Sequence, residues 1–393
     1  MAIAFRTDPG ESCGAVEVAR DCIDCPQRQT RVGTVRVLFI SNASSIHTVR
    51  WVNALAKRGH DVHLAHIAGH EPELDRIDER VSIHRLPVPG PAGYYLNALP
   101  LRRLAFGLDP DVAHAHYASG YGTLSRLARI PYLLSVWGSD VYEFPYRNRS
   151  SLSILRRNLR SASALASTSE CMAEQVRNVL GDPTVPITVT PFGIDLARFD
   201  PDDLIAHDGT DRMIIGNVKA LAGSYGIDVL IRAAGLLRDR LPGRLFEVRV
   251  YGEGPQRSEI ERLVSGLGLG DVVQLAGQIP HDEVPSVLAQ LDIFCATSLR
   301  ESFGVAVVEA MAMRCPVVVS NAEGFTEVVG DAGLVVPRGD AEATASALAR
   351  LATDRRLRDS LGKAGRLRVE RLYNWESNVD AVVDLYMQIS RRP

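Results

Sequence analysis

Two carboxylates, Glu301 and Glu309, are separated by seven residues in the stretch Arg300-Glu301-Ser302-Phe303-Gly304-Val305-Ala306-Val307-Val308-Glu309-Ala310-Met311-Ala312. Glu301 sits in a polar turn with Thr297, Ser298 and Arg300, whereas Glu309 lies in an apolar run that reads as a helix. The residues between them, Ser302, Phe303 and Gly304 with Val305 behind, are where that helix begins. A helix N-terminus offers unpaired backbone N–H groups and a partial positive charge, which suits a phosphate. A carboxylate accepts two hydrogen bonds, so each Glu can grip a vicinal diol. A ligand with diols on both sides of a diphosphate, a nucleotide sugar, satisfies all three features.

The segments C-terminal to the pair keep a fixed order as well. Arg314-Cys315-Pro316-Val317-Val318-Val319-Ser320-Asn321 reads as a short buried strand after the helix, and Glu323-Gly324-Phe325-Thr326-Glu327-Val328-Val329 as a turn carrying Gly and Glu. Nearer the N-terminus, Pro191-Phe192-Gly193-Ile194-Asp195 precedes Phe199-Asp200-Pro201. These segments resemble the E-x7-E motif and the P-x-G-[IV]-D-x-x-x-F-x-P segment of the retaining glycosyltransferases of the family-4 type, which have the GT-B fold. The resemblance covers roughly residues 35–390.

The resemblance implies roles residue by residue. Glu301 would touch the donor sugar and Glu309 the ribose hydroxyls. Lys219 would meet the diphosphate, and Tyr225 stands where a second basic residue is usual. Gly252 and Gly254, in Gly252-Glu253-Gly254-Pro255, would lie beside the nucleotide, although a tight turn explains them equally well. Gln278 and Ile279 fall where the nucleobase docks, mainly through backbone groups. Val136-Trp137-Gly138-Ser139-Asp140 is similar to the family's T-x-H-G-x-D segment, with Trp137 in place of the usual His. Trp can stack on a sugar and donate one N–H. Asp140 is read as an acceptor contact or a helix cap. His47, in a Ser-rich turn that replaces a Gly-rich loop, is read as a substrate contact or a capping residue. His114 and His116 alternate along one strand and point the same way; His114 is read as structural and His116 as a catalytic contact to acceptor or sugar. No third ligand adjoins the two histidines, and the Asp-Pro-Asp triplets Asp109–Asp111 and Asp200–Asp202 suit turns, so no metal is expected.

The expected activity is therefore a retaining, metal-independent hexosyl transfer. A sugar moves from a nucleotide donor, UDP-linked by expectation, to a hydroxyl acceptor in polysaccharide, glycolipid or small-glycoside biosynthesis. The donor is a substrate, and no cofactor is implied. Two other classes stay open. Tyr225 and Trp137 at departing positions suggest a non-catalytic sugar-nucleotide-binding subunit, and a nucleotide-sugar epimerase can share the fold.

Composition sets the frame. The chain has 393 residues, 46% hydrophobic and 23% charged, ordinary values for a globular enzyme. A net charge of −3 argues against a nucleic-acid partner, since such domains are strongly basic. No apolar run approaches the roughly 18 residues of a membrane span. Met1–Asp8 lacks the basic start and apolar core of a secretory signal, so a cytoplasmic location is expected, with contact at the inner membrane face as an option. That option rests on Arg147, Arg149, Arg156, Arg157 and Arg160, which share residues 147–160 with Leu152, Leu155 and Leu159. The segment reads as a solvated helix or as a membrane-surface helix serving a lipid-linked acceptor. Cys22 and Cys25 form a lone C-x2-C pair, short of a four-ligand zinc site.

The elements that must position these residues alternate. Residues 35–40, 61–66, 112–116, 132–136, 164–169 and 187–190 read as strands, with helical stretches between several of them; a second series starts at residues 213–218 and continues through 246–251, 272–275, 293–295, 317–319 and 334–336. Strand–helix–strand repeats build parallel sheets. The expected architecture is α/β: an extension without regular order at 1–33, an acceptor-binding Rossmann-like domain at 34–200, and a donor-binding one at 201–372. The two doubly wound domains face each other across a cleft. A terminal helix at 373–393 carries apolar residues at helical spacing and crosses back to the first domain.

Overall fold

The computed structural model describes residues 33–73, 76–203 and 212–390; the N-terminal extension with Cys13, Cys22 and Cys25 lies outside them, as does part of the segment before residue 212. Two parallel sheets form the frame. The first has seven strands in the order β3-β2-β1-β4-β5-β6-β7: β1 (Arg36–Ile40), β2 (Asp61–Ala68), β3 (Ser82–Pro89), β4 (Val112–His116), β5 (Leu133–Val136), β6 (Ala164–Ser167) and β7 (Thr188–Val189). The second has six, β10-β9-β8-β11-β12-β13: β8 (Met213–Val218), β9 (Phe246–Tyr251), β10 (Val273–Gly277), β11 (Ile293–Ala296), β12 (Val317–Ser320) and β13 (Leu334–Val336). β4, β5, β11 and β12 are buried along their whole length. Burial on both faces is what a parallel sheet with helices on each side imposes, and it explains the continuous apolar runs.

Strand order reverses between β1 and β4 in one sheet and between β8 and β11 in the other. At such a point neighbouring connections leave in opposite directions, and a crevice opens beyond the carboxyl ends of the strands. Lys219 follows β8 and the loop bearing Glu301 follows β11, so the fold brings together residues far apart in sequence.

Two chain crossings join the halves. Ile194 N donates to Tyr373 O at 2.7 Å, and Trp375 N donates to Ile194 O at 3.0 Å. Gly193 makes the crossing feasible, because a Cβ there would lie 2.5 Å from Trp375 Cα. The terminal helix (Trp375–Ser390) then packs Val379, Val382, Val383 and Tyr386 against Val37, Phe39, Val52 and Leu55 of the first half. The expected return helix is present.

Residues 147–160 turn most of their leucine side chains inward. The helix Arg149–Ser161 turns Leu155 and Leu159 into the first domain's core, with Leu152 packed against it. Arg156 donates to Val179 O and Arg160 to Leu180 O at the end of the helix Glu170–Leu180. Two of the five arginines are thereby engaged with a neighbouring helix. Among the described residues no helix is long and apolar enough to cross a membrane.

Candidate active site

The helix of the carboxylate motif spans Val305–Ala312, with Gly304 as its N-cap residue at φ 96°. Only glycine suits this position: the φ is left-handed, and a Cβ would lie 2.7 Å from the Phe325 ring. Glu309 falls inside the helix and is buried. Its Oε1 meets His281 Nε2 at 3.2 Å. Glu301 stands before the helix and accepts from Lys219 Nζ at 2.7 Å. Both partners are partly buried, at 25% and 11% side-chain exposure, so the pair is shielded more than a surface ion pair. Tyr225 lies under the same ammonium, with Lys219 Nζ 4.4 Å from its ring centroid. The tyrosine at the departing position thus holds this cation by a cation–π contact.

The turn at Gly252 and Gly254 supports Lys219 from behind. A Cβ at Gly252 would lie 2.0 Å from Lys219 O, and one at Gly254 would lie 2.4 Å from Leu221 O. Backbone passes directly over backbone here, and Lys219 N donates to Tyr251 O at 2.9 Å. Gly252 also lines a cavity; Gly254 serves the packing.

Two cavities adjoin the ion pair. One, of about 860 Å³, is lined by Lys219, Gly252, Gln278, Ile279, His281 and Glu309 among others. The other, of about 710 Å³, is lined by Glu301 and Ser302 from the second domain, Tyr117, Trp137 and Tyr142 from the first, and Arg300 and Arg338. Lys219 belongs to the first and Glu301 to the second, so their hydrogen bond marks the boundary between the two. A third apolar cavity, bordered by Phe106, Asp109 and Ile389, lies at the opposite end of β4 and β5 and contains none of these residues.

Several expected contacts are placed differently. Asp140 is 1% exposed. Its carboxylate accepts from Ala118 N at 2.8 Å, Gly138 N at 2.9 Å and Trp137 N at 3.2 Å. It clamps two loops and does not face an acceptor. Burial raises its pKa, against the pull of these N–H donors. His116 is buried beneath Trp137, ring centroids 4.3 Å apart, and burial holds it well below the ordinary imidazole range. Its place is to support that indole, not to touch a substrate directly. His47 stacks on Phe192 at 4.2 Å, and desolvation lowers its pKa to about 4. It belongs to an aromatic seam joining the halves and borders neither of the two cavities. Phe303 is buried between Phe192 and Tyr373, and Phe325 is buried behind Gly304, so neither ring faces a sugar. Phe303 and Val305 could offer the donor only backbone. Arg314, just after the motif helix, forms a two-pronged ion pair with Asp202 at 2.6 and 2.9 Å and borders neither cavity.

Three contributions had no local signal. His281 reaches Glu309 across 28 residues. Glu327 accepts from Glu170 N at 2.7 Å and Cys171 N at 2.8 Å, at the start of a helix of the other domain. Ser169, the N-cap residue of that helix, donates to Ser302 O at 2.8 Å. Among the described residues no group of three or more His, Cys, Asp or Glu side chains is placed to hold a metal ion.

Two facing parallel sheets with this helix, ion pair and cleft define a GT-B enzyme. Comparison with known proteins agrees. The Glycosyl transferase 4-like model matches residues 36–169, and the Glycosyl transferases group 1 model matches residues 206–368. The chain is 29% identical over 319 residues to a 2-deoxystreptamine N-acetyl-D-glucosaminyltransferase of Streptomyces fradiae, covering 72% of this chain and 75% of that protein. It is also 29% identical over 255 residues to a Bacillus subtilis (strain 168) glycosyltransferase assigned to teichuronic acid biosynthesis; that match covers 62% of this chain and 61% of the relative. Among solved structures, a sucrose-phosphate synthase from Thermosynechococcus elongatus superposes with a TM-score of 0.75 at 23% identity, over 90% of this chain and 99% of that one. An Anabaena protein in complex with UDP and glucose superposes with a TM-score of 0.73 at 18% identity, over 90% of this chain and 100% of that one. The chain belongs to the glycosyltransferases of the family-4 type with the GT-B fold.

Proposed function

We propose that the protein transfers a sugar from a UDP-linked donor to a hydroxyl acceptor in glycan biosynthesis, with retention at the anomeric carbon and without a metal. The observation that carries this reading is the Lys219–Glu301 pair at the start of the motif helix, with Glu309 in the cavity beyond it. Glu309 would hold the ribose hydroxyls, oriented by His281, and Gln278 and Ile279 would border the base. The diphosphate would lie over Lys219 and the helix N-terminus, where negative charge develops as the sugar bond breaks. Preorganised donors aimed at that charge are the strongest catalytic device such a site can offer. Glu301 would grip the sugar in the second cavity. The freed phosphate oxygen takes the acceptor proton on the face where the new bond forms, which preserves the anomeric configuration. The choice of UDP is supported by the Anabaena neighbour solved with UDP and glucose.

Thermal-shift measurements against UDP-, GDP-, ADP- and TDP-sugars test this, with Glu309→Ala as the control. Ligand at 100 times its Kd adds about 2.7 kcal/mol to stability. A shift with UDP-sugars that disappears in the variant is the expected result. A shift with another nucleotide only would replace the donor. No shift with any would overturn the donor-binding reading of this site.

A further inference from the structure

Tyr117 carries a feature that its place in the sequence does not explain. It follows β4 directly and has φ 73°, a region that non-glycine residues rarely enter. Its ring is 37% exposed, so packing does not account for the conformation. Instead the surroundings impose it. Tyr117 N donates to Ser135 O at 3.1 Å, and Gly122 N donates to Tyr117 O at 3.0 Å. The next residue is fixed from both sides: Ala118 N donates to the buried Asp140 carboxylate, and Ala118 O accepts from Asn158 Nδ2, each at 2.8 Å. Asp140 binds the Trp137 and Gly138 amides as well, so one carboxylate sets the relative positions of the Tyr117 and Trp137 loops. Their rings stand 5.8 Å apart at 71°. Both line the 710 Å³ cavity that contains Glu301. A residue held in an unfavourable backbone state, with its side chain presented to a cavity, is a pattern of functional sites.

We propose that Tyr117 and Trp137 form the stacking wall of an acceptor subsite that takes a pyranose ring, so that the acceptor is itself a sugar or glycoside. This rests on the glycosyltransfer reading above. An aromatic face suits the C–H face of a sugar, whereas the rim residues Ser139, Glu143, Arg300 and Arg338 suit its hydroxyls. A ring stacked there would present a hydroxyl toward Glu301, on the side where the donor sugar would lie.

The test uses Tyr117→Asn and Tyr117→Phe in the full chain. Asn tolerates left-handed backbone and removes the ring; Phe keeps the ring and removes the hydroxyl. Each protein is saturated with whichever of UDP, GDP, ADP or TDP gives the thermal shift. Saturation-transfer NMR is then recorded with methyl α-glucopyranoside, methyl α-mannopyranoside and methyl β-galactopyranoside. The expected result is transfer to the C–H protons of at least one glycoside in the wild type and in Tyr117→Phe. In Tyr117→Asn that signal falls about tenfold, in line with loss of an aromatic contact, while nucleotide binding is kept and Tm is equal or higher. Three outcomes overturn the proposal: no glycoside signal in a wild type that binds nucleotide, an undiminished signal in Tyr117→Asn, or a Tm lowered by that substitution, which would make Tyr117 a packing residue. Failure of every nucleotide to bind would instead remove the donor reading on which the proposal stands.

Discussion

On the function proposed above, Lys219 is the residue on which the chemistry of this site turns. It bonds Glu301, lies over Tyr225 and is buttressed by the glycine turn. A cation fixed in this way costs no reorganisation when the diphosphate departs. Replacing Lys219 with Ala should lower the transfer rate by about 100–1000-fold, read from single-turnover kinetics, with no loss of Tm beyond that of a partly exposed ion pair. A loss of less than tenfold would shift the role to Arg300 or Arg338. At this scale the sequence was readable where residue type and local spacing carry the information. Lys219 and Glu301 follow strand ends and Glu309 lies in the helix after them, and the structure brings the three to one cleft. It was unreadable where burial decides. Asp140, His116 and Phe303 have the types of contact residues, but each points inward. Their sequence neighbours do not tell a cleft-facing side chain from one spent on backbone amides or rings.

At the scale of elements, the apolar strands were legible because parallel sheets bury both faces. β3 was not: it is an edge strand, mostly exposed, and contains Pro87 and Pro89, which suit an edge but hide the strand pattern. The junction of β4 with the terminal helix was equally silent, since its partners lie 272 residues apart: His114 Nδ1 meets Tyr386 Oη at 2.7 Å. Nε2 meets Ser135 Oγ, also at 2.7 Å. His114 and His116 are buried, and desolvation lowers the pKa of His114 from 6.5 to about 3 and that of His116 well below 6.5. Their folded-state values lie below the unfolded one, so the neutral forms favour the fold. That stability is complete above pH 6.5 and is lost as pH falls from there toward the folded values. Each of these protons taken up on unfolding adds to the slope in that window, as does one at His47, whose pKa burial also lowers. The fall in stability below about pH 6 should therefore be shallower in His114→Gln by one proton's share, about 1.4 kcal/mol per pH unit; equal slopes for the two proteins would rule out this origin.

At the scale of the whole molecule, the two halves meet through three kinds of contact with different consequences. The backbone crossing at Ile194 and Tyr373–Trp375 and the return of the terminal helix join them permanently. The Glu327 contact is of another kind. It joins the helix Glu323–Val329 of the second half to the first N–H groups of the helix Glu170–Leu180 in the first, and it lies beside the Ser169–Ser302 hydrogen bond. Ser302 directly follows Glu301, so this contact bears on the position of the loop that carries Glu301. A carboxylate on a helix N-terminus contributes roughly 1 to 1.5 kcal/mol. That is enough to bias an open–closed equilibrium but not to hold it against a ligand. Glu327→Ala should then leave the Kd for nucleotide within about twofold, because the cavity proposed to take it is lined mainly by residues of the second half. The transfer rate should fall about tenfold, the rate equivalent of that energy, and the radius of gyration of the nucleotide-bound form should rise in solution scattering. Glu327→Gln keeps one acceptor oxygen and should lie between the two. If scattering and rate are both unchanged, the contact follows closure and does not govern it, and the position of Glu301 is then set by the motif helix alone.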